Sequence, residues 1–363
     1  MSLRAEQLHA SDWLGVLHIT GGGSPLIAEL LSTPGASGTV LEVVVPYSSQ
    51  ALTDLLAQAP ERAASQSTAR LLAMAAFERA CALDAAATFG LGCTASLGSN
   101  REKKGAHRAH WAIQTATTTY SFNANFDSER QSEEAALLEY LWASLQHCLL
   151  GLPSPLADWE HDANIQYEHH PAPDEWHALI GNTPHIWNSD PHDGRLLLPG
   201  SFNPIHTGHK QMLAVAEALT GHPGAYELCV KNADKPSLDY LTIAERVMQF
   251  DSHPVWLTNT PTYVEKARQF AGTTFALGVD TLARIVELRF YHHREALLDD
   301  AIATFVDLDT RFLVFGRSND SDFVTLDDID IPDALRQLCT AVPETTYRND
   351  ASSSQIRQRN RTP

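Results

Sequence analysis

Cysteine is scarce and follows no pairing pattern. Cys81, Cys93, Cys148, Cys229 and Cys339 are odd in number, scattered, and form no CxxC spacing. That excludes a disulfide framework and a cysteine-based zinc site, and points to reduced thiols. Basic residues are also few, 26 Lys plus Arg against 44 Asp plus Glu, for a formal net charge of -18. So acidic a chain lacks the footprint of a general nucleic-acid or anionic-membrane binder, and a phosphate-bearing ligand has to be held by a local cluster of donors. No apolar run approaches the roughly 18–20 residues of a membrane span, and the polar run Met1–Asp12 lacks the apolar core of a secretory signal. The expectation is a cytoplasmic protein that engages neither nucleic acid nor membrane. What remains is ordinary for a folded protein: 363 residues, 44% hydrophobic and 19% charged. At roughly 100–200 residues per domain that is room for two.

Residues 14–150 alternate apolar strands with helices. Thr39–Val45 is nearly continuous in β-branched residues and predicts a buried strand. Leu71, Met74, Phe77 and Cys81 recur at helical spacing, as do Leu138, Leu141, Trp142, Leu145 and Cys148 before a stop at Gly151. Six prolines then interrupt residues 151–193, which mark the domain junction. The junction also gathers His161, His169, His170, His177, His185 and His192 beside Trp159, Trp176 and Trp187. With no metal-ligand spacing among them, they are expected to pack the linker rather than bind an ion.

From Arg195 the pattern resets. Leu196–Pro199 reads as a short strand, Gly200–Gly208 as a glycine-bounded turn, and Thr207 as the cap of a helix that Gly221 ends. Tyr226–Val230, Phe275–Gly278 and Arg311–Phe315 are further strands, with helices between them. Such alternation predicts a parallel, doubly wound sheet whose ligands sit beyond the carboxyl ends of the strands. No internal repeat links the two halves.

The sharpest motif is Gly200-Ser201-Phe202-Asn203-Pro204-Ile205-His206-Thr207-Gly208-His209, between strand and helix. The turn exposes backbone N–H groups at a helix N-terminus, where anions are favoured. Small residues at Gly200, Ser201 and Gly208 admit a phosphate to the backbone, and His206 and His209, three apart on one turn, face the same way. Neither imidazole has a Ser or Cys nucleophile beside it, which argues against acyl transfer.

This stretch resembles the HxGH signature of the nucleotidylyltransferase superfamily, and its GSFNP lead-in is similar to the nicotinamide mononucleotide adenylyltransferases. Near the C-terminus, Ala351-Ser352-Ser353-Ser354-Gln355-Ile356-Arg357 is similar to the family's ISSTxIR element, with Ala at the first position. Gly278-Val279-Asp280 resembles its GxD, and Lys235 and Arg317 resemble its phosphate-side cations. The resemblance covers residues 195–358. It implies attack by an acceptor phosphate on the α-phosphorus of ATP. His206, His209 and Arg357 are the implied catalytic residues; Gly200, Ser201, Phe202, Asn203, Lys235, Gly278, Asp280, Arg317, Ser353 and Ser354 bind the nucleotide. Mg²⁺ enters through the ATP phosphates. The implied partners are ATP and a phosphorylated small-molecule acceptor, a pyridine mononucleotide by the closest resemblance; another acceptor, CTP in place of ATP, a silent nucleotide sensor and a homo-oligomer all stay open.

The N-terminal half resembles the CinA C-terminal family, which includes nicotinamide mononucleotide deamidases, through Thr20-Gly21-Gly22, Pro34-Gly35-Ala36-Ser37 and Pro46-Tyr47-Ser48-Ser49. Ser37 and Tyr47 keep the family's spacing of nucleophile and tyrosine, but the lysine position is Leu52 and the serine before Thr-Gly-Gly becomes His18-Ile19. A serine without a base is a weak nucleophile, so this domain is expected to be inactive. The expected architecture is therefore α/β in two domains: CinA-like over 1–150, a Pro/His-rich linker over 151–193, and a Rossmann-like, doubly wound nucleotidyltransferase domain over 194–363.

Overall fold

The structure is a computed structural model that describes residues 2–84, 88–99, 105–153, 165–232, 235–250, 253–319, 322–349, 353 and 356–357. The chain divides into two compact units: Met1–His177 with Asp234–Thr242, and Ala178–Ala233 with Ile243–Pro363. No described helix is long and apolar enough to cross a membrane, and all five cysteines are free thiols.

The first unit runs α1 (Leu3–His9), β1 (Leu14–Thr20), α2 (Ser24–Ser32), β2 (Val40–Val44), α3 (Ser49–Leu56), α4 (Gln66–Leu83), β3 (Thr88–Ser96), β4 (His107–Thr115), β5 (Thr118–Phe126), α5 (Arg130–Leu150) and β6 (Ile165–Pro171). Its sheet has the order β2-β1-β3-β4-β5-β6. Only β2, β1 and β3 pair in parallel; β3 to β6 form an antiparallel meander. Contrary to the expectation of a buried strand over Thr39–Val45, β2 is half-buried throughout, because it lies at the sheet's edge.

Small residues set the layer spacing on one face. A Cβ on Gly90 would lie 2.1 Å from the Ala73 carbonyl oxygen, and one on Gly92 2.3 Å from that of Ala69. The Ala-rich α4 therefore lies with its backbone directly on β3, and side chains at either glycine are excluded. The other face carries the large core, where Leu17, Leu91, Trp111 and Phe122 meet Leu137, Leu141, Trp142 and Leu145 of α5. The buried indoles are satisfied: Trp111 Nε1 donates to Ser144 Oγ at 2.9 Å and Trp142 Nε1 to Glu29 Oε2 at 2.9 Å.

The elements that follow are β7 (Ile186–Asn188), β8 (Leu196–Pro199), α6 (Thr207–Thr220), β9 (Ala225–Cys229), α7 (Tyr240–Val247), β10 (Val255–Thr258), α8 (Tyr263–Gln269), β11 (Thr274–Gly278), α9 (Val279–Ile285), α10 (Glu295–Asp307), β12 (Arg311–Phe315), β13 (Arg317–Asn319), β14 (Asp322–Val324), α11 (Asp333–Arg336) and β15 (Cys339–Val342). The second unit's sheet has the order β15-β12-β11-β8-β9-β10-β7, and only β7 runs antiparallel to its neighbour. Read in chain order, the six parallel strands are arranged 3-2-1-4-5-6, the doubly wound topology, with its switch point between β8 and β11. Inside this unit Glu227 of β9 and Lys266 of α8 pair at 2.5 Å with side chains 1% and 4% exposed. The Thr258 hydroxyl donates to the same carboxylate oxygen.

Candidate active site

The turn leaves β8 at the switch point, where doubly wound sheets open a crevice. Phe202 takes a left-handed φ of 45°, and its ring is buried. Edge-on contacts hold it against His209, Tyr226 and Phe250, with ring centroids 5.1, 5.2 and 5.1 Å away. A Cβ on Gly200 would come within 2.7 Å of that ring, so the aromatic anchor requires glycine there. The helix cap differs from expectation: His206 occupies the N-cap position and Thr207 is the first helical residue. The reason is His209, whose Nδ1 accepts the His206 backbone N–H at 3.3 Å and so closes the first turn from inside. Gly221 ends the helix with φ 71°, as expected.

The two imidazoles stack, with centroids 3.8 Å apart and planes 29° from parallel. Burial, then the neighbouring His206, lowers the His209 pKa to about 4, and burial lowers that of His206. Both are therefore neutral near pH 7. Because Nδ1 of His209 accepts, its proton sits on Nε2, which makes that atom a donor. Together with the positive end of the α6 dipole, this donor is placed where an anion is favoured.

The C-terminal motif comes to this turn. Ser353 Oγ donates to the Pro204 carbonyl at 3.0 Å and Arg357 Nη1 to the Asn203 carbonyl at 2.5 Å. Upstream of them, the Tyr347 hydroxyl donates to the Gly208 carbonyl at 3.2 Å. Ser354 lies outside the described residues. Gly278 caps α9, and Gly278 of β11 pairs in register with Phe315 of β12. Asp280 and Arg317, each two residues further on, consequently emerge side by side and form an ion pair of 2.6 Å, both more than half exposed. Two residues went unnoticed in the sequence: Arg246 Nη1 donates to the Ser201 carbonyl at 2.8 Å, and Gln249 Oε1 accepts from the Ile205 N–H at 2.9 Å. An Arg in a helix carries no motif of its own, so only the fold reveals them.

Lys235 belongs to the first unit and lines a cavity of about 340 Å³ there with His18, Glu42, Glu78 and Arg79.

The residues singled out in the N-terminal half do not assemble either. Ser37 sits in a short 3-10 turn before β2 and Tyr47 follows β2, 71% exposed. Five strand residues at about 3.3 Å each place roughly 17 Å between them. Leu52 is packed with Leu56 and Leu72. His18 pairs in register with Val44, the last residue of β2, and its Nδ1 donates to the Leu72 carbonyl at 3.1 Å. It is thus at the far end of β2 from Ser37. In the junction, His169 stacks between Tyr120 and Tyr167 and His170 against Trp176; His161 and Trp159 lie outside the described residues. Among the described residues no group of three or more His, Cys, Asp or Glu side chains could hold a metal ion.

Solved structures of CinA superfamily proteins are similar to this chain. The one from Escherichia coli has 19% identity and a TM-score of 0.34, covering 40% of this chain and 86% of its own. One from Klebsiella pneumoniae has 17% identity and a TM-score of 0.34, covering 43% and 95%, and a competence/damage inducible protein from Agrobacterium tumefaciens has 18% and 0.33, covering 40% and 97%. No curated protein matches the chain. Residues 197–359 match the cytidylyltransferase-like family, over the span that holds the stacked His206–His209 pair, the Asp280–Arg317 pair and Arg357. That segment is a cytidylyltransferase-like domain of the HxGH nucleotidyltransferase superfamily.

Proposed function

We propose that the C-terminal unit is an adenylyltransferase that joins ATP to the phosphate of a pyridine mononucleotide, nicotinamide or nicotinate, and releases pyrophosphate. The observation that carries nucleotidyl transfer is the stacked, neutral His206–His209 pair at the start of α6, on the crevice of the switch point. The acceptor is supported by the resemblance of the GSFNP turn to pyridine mononucleotide adenylyltransferases and by the CinA-like character of the other half.

An acceptor phosphate oxygen attacks the α-phosphorus, and the bond to the β-phosphate bridging oxygen breaks with its electron pair on pyrophosphate. No covalent enzyme intermediate is needed, so catalysis is positioning and charge neutralisation. The Nε2–H of His209 donates to an oxygen of the transferring phosphate, and His206 stands beside it. Ser353 and Arg357 are placed to exchange their carbonyl partners for phosphate oxygens of the triphosphate, where a guanidinium fork suits the geometry. A magnesium ion held by the triphosphate oxygens would supply further charge neutralisation there.

The test is a substrate panel on the full-length chain, monitored for pyrophosphate: ATP or CTP against nicotinamide mononucleotide, nicotinate mononucleotide and phosphopantetheine. Turnover confined to ATP with a pyridine mononucleotide supports the reading; turnover with CTP or with phosphopantetheine alone overturns it.

A further inference from the structure

Four consecutive carbonyl oxygens of the glycine-bounded turn are each taken by a side-chain donor. Arg246 Nη1 donates to Ser201 O at 2.8 Å, Gln249 Nε2 to Phe202 O at 3.4 Å, Arg357 Nη1 to Asn203 O at 2.5 Å and Ser353 Oγ to Pro204 O at 3.0 Å. Gln249 also accepts the Ile205 N–H at 2.9 Å through Oε1. A carbonyl oxygen facing a phosphate repels it, whereas an N–H attracts it; tying up each carbonyl leaves the turn with donors for its anion. The four tethers are not equivalent. Ser353 and Arg357 belong to the segment that resembles a phosphate-binding motif, so their carbonyl bonds compete with ligand. Arg246 and Gln249 come instead from α7 and the 3-10 turn Met248–Phe250 that follows it, and Phe250 of the same turn packs on Phe202.

We infer that Arg246 and Gln249 are positioning residues for nucleotidyl transfer: they hold the Ser201–Ile205 backbone in register with His206 and His209 when Ser353 and Arg357 turn to the triphosphate. This rests on the nucleotidyl-transfer reading above. Neither residue touches the reacting atoms. Arg246 fixes the carbonyl of Ser201 and Gln249 the N–H of Ile205, so losing either frees one end of the Ser201–Ile205 backbone that leads into His206. A displacement of about 1 Å at a reacting group can cost about 100-fold in rate, and a hydrogen bond from a charged donor is worth about 10–100-fold.

The experiment compares full-length wild type with Arg246→Ala, Arg246→Lys and Gln249→Glu, measuring kcat, KM for ATP, Mg·ATP affinity by calorimetry and Tm. Arg246→Ala is expected to lower kcat about 10–100-fold and to weaken Mg·ATP binding by a smaller factor. Lysine at 246, or guanidinium ion added to Arg246→Ala, is expected to recover part of both. Gln249→Glu keeps the acceptor for Ile205 but loses the donor to Phe202, and should fall between. A kcat and Mg·ATP affinity within twofold of wild type, or losses that neither lysine nor guanidinium reverses, overturn the inference. If wild type turns over no acceptor in the panel, the functional reading fails by itself. The calorimetric arm then decides alone: weaker Mg·ATP binding restored by guanidinium upholds the positioning role, and unchanged binding removes it.

Discussion

Arg357 donates to the main-chain carbonyl of Asn203, 154 residues earlier in the chain. That bond joins the two ends of the nucleotidyltransferase motif at one turn, and Ser353 repeats the link on Pro204. The guanidinium therefore lies against the turn that leads into α6. Arg357→Ala is expected to weaken Mg·ATP affinity by about 10–100-fold, the worth of a charge-assisted hydrogen bond, with a smaller effect on acceptor KM. Calorimetry with ATP and with each mononucleotide separates the two.

His209→Ala should act on a different quantity. A donor whose bond strengthens as charge develops on the transferring phosphate governs kcat, and removing one costs about 10²–10³-fold. Single-turnover rates beside Mg·ATP affinity give the check: a fall in rate far larger than the change in affinity is expected, and equal changes in both would show a ground-state role only.

Three histidines, His18 buried and His110 and His209 half-buried, weaken the fold as pH falls. Burial is the largest cause in each case, and it lowers the pKa of His18, His110 and His209 to about 4 from an ordinary 6.5. Between pH 6.5 and 4 the unfolded chain therefore binds more protons than the folded one, so stability falls as pH drops through that window and is fully present above it. For His18, 2% exposed, the loss reaches roughly 2 kcal/mol by pH 5. Urea midpoints at pH 7 and pH 5 should move down for wild type, and less so for His18→Gln.

Much of the second unit was legible in the sequence because its signals are local. Leu196–Pro199 and Arg311–Phe315 are strands with the bounds that their apolar runs imply, and Gly221 ends α6 as glycine at a C-cap should. The antiparallel strands of the first unit were not legible in this way. β6 carries Gln166, Glu168, His169 and His170 on an edge, so it lacks the apolar period that marks a strand. Lys235 resembles a phosphate ligand by its place after β9, yet residues 235–242 belong to the first unit, where Ser237 N–H bonds Glu78 at 3.3 Å and Tyr240 N–H bonds Thr119 at 3.0 Å. Sequence position cannot show an excursion of that kind, nor the reach of Arg246 to Ser201, because both depend on tertiary contacts.

The buried Lys266–Glu227 pair offers a stability test apart from the site. Removing one partner leaves an uncompensated buried charge, for about 3–5 kcal/mol. Lys266→Met is expected to lower the Tm of the second unit strongly, and Glu227→Leu combined with Lys266→Met to recover most of the loss. Differential scanning calorimetry of the full chain reads both.

No nicotinamide mononucleotide deamidase activity is expected from the N-terminal half. Leu52 lies in an apolar cluster where a general base is needed, and β2 separates Ser37 from both Tyr47 and His18. Ammonia release from nicotinamide mononucleotide, measured for wild type and Ser37→Ala, should stay at background in both.

The most direct measurement is the initial rate of pyrophosphate release by the full-length chain with Mg·ATP and nicotinamide or nicotinate mononucleotide, run beside His209→Ala. The account predicts acceptor-dependent pyrophosphate from wild type, stoichiometric with a dinucleotide product, and a rate about 10²–10³-fold lower from the variant. Pyrophosphate formed at equal rates with and without acceptor, or undiminished in His209→Ala, would contradict it.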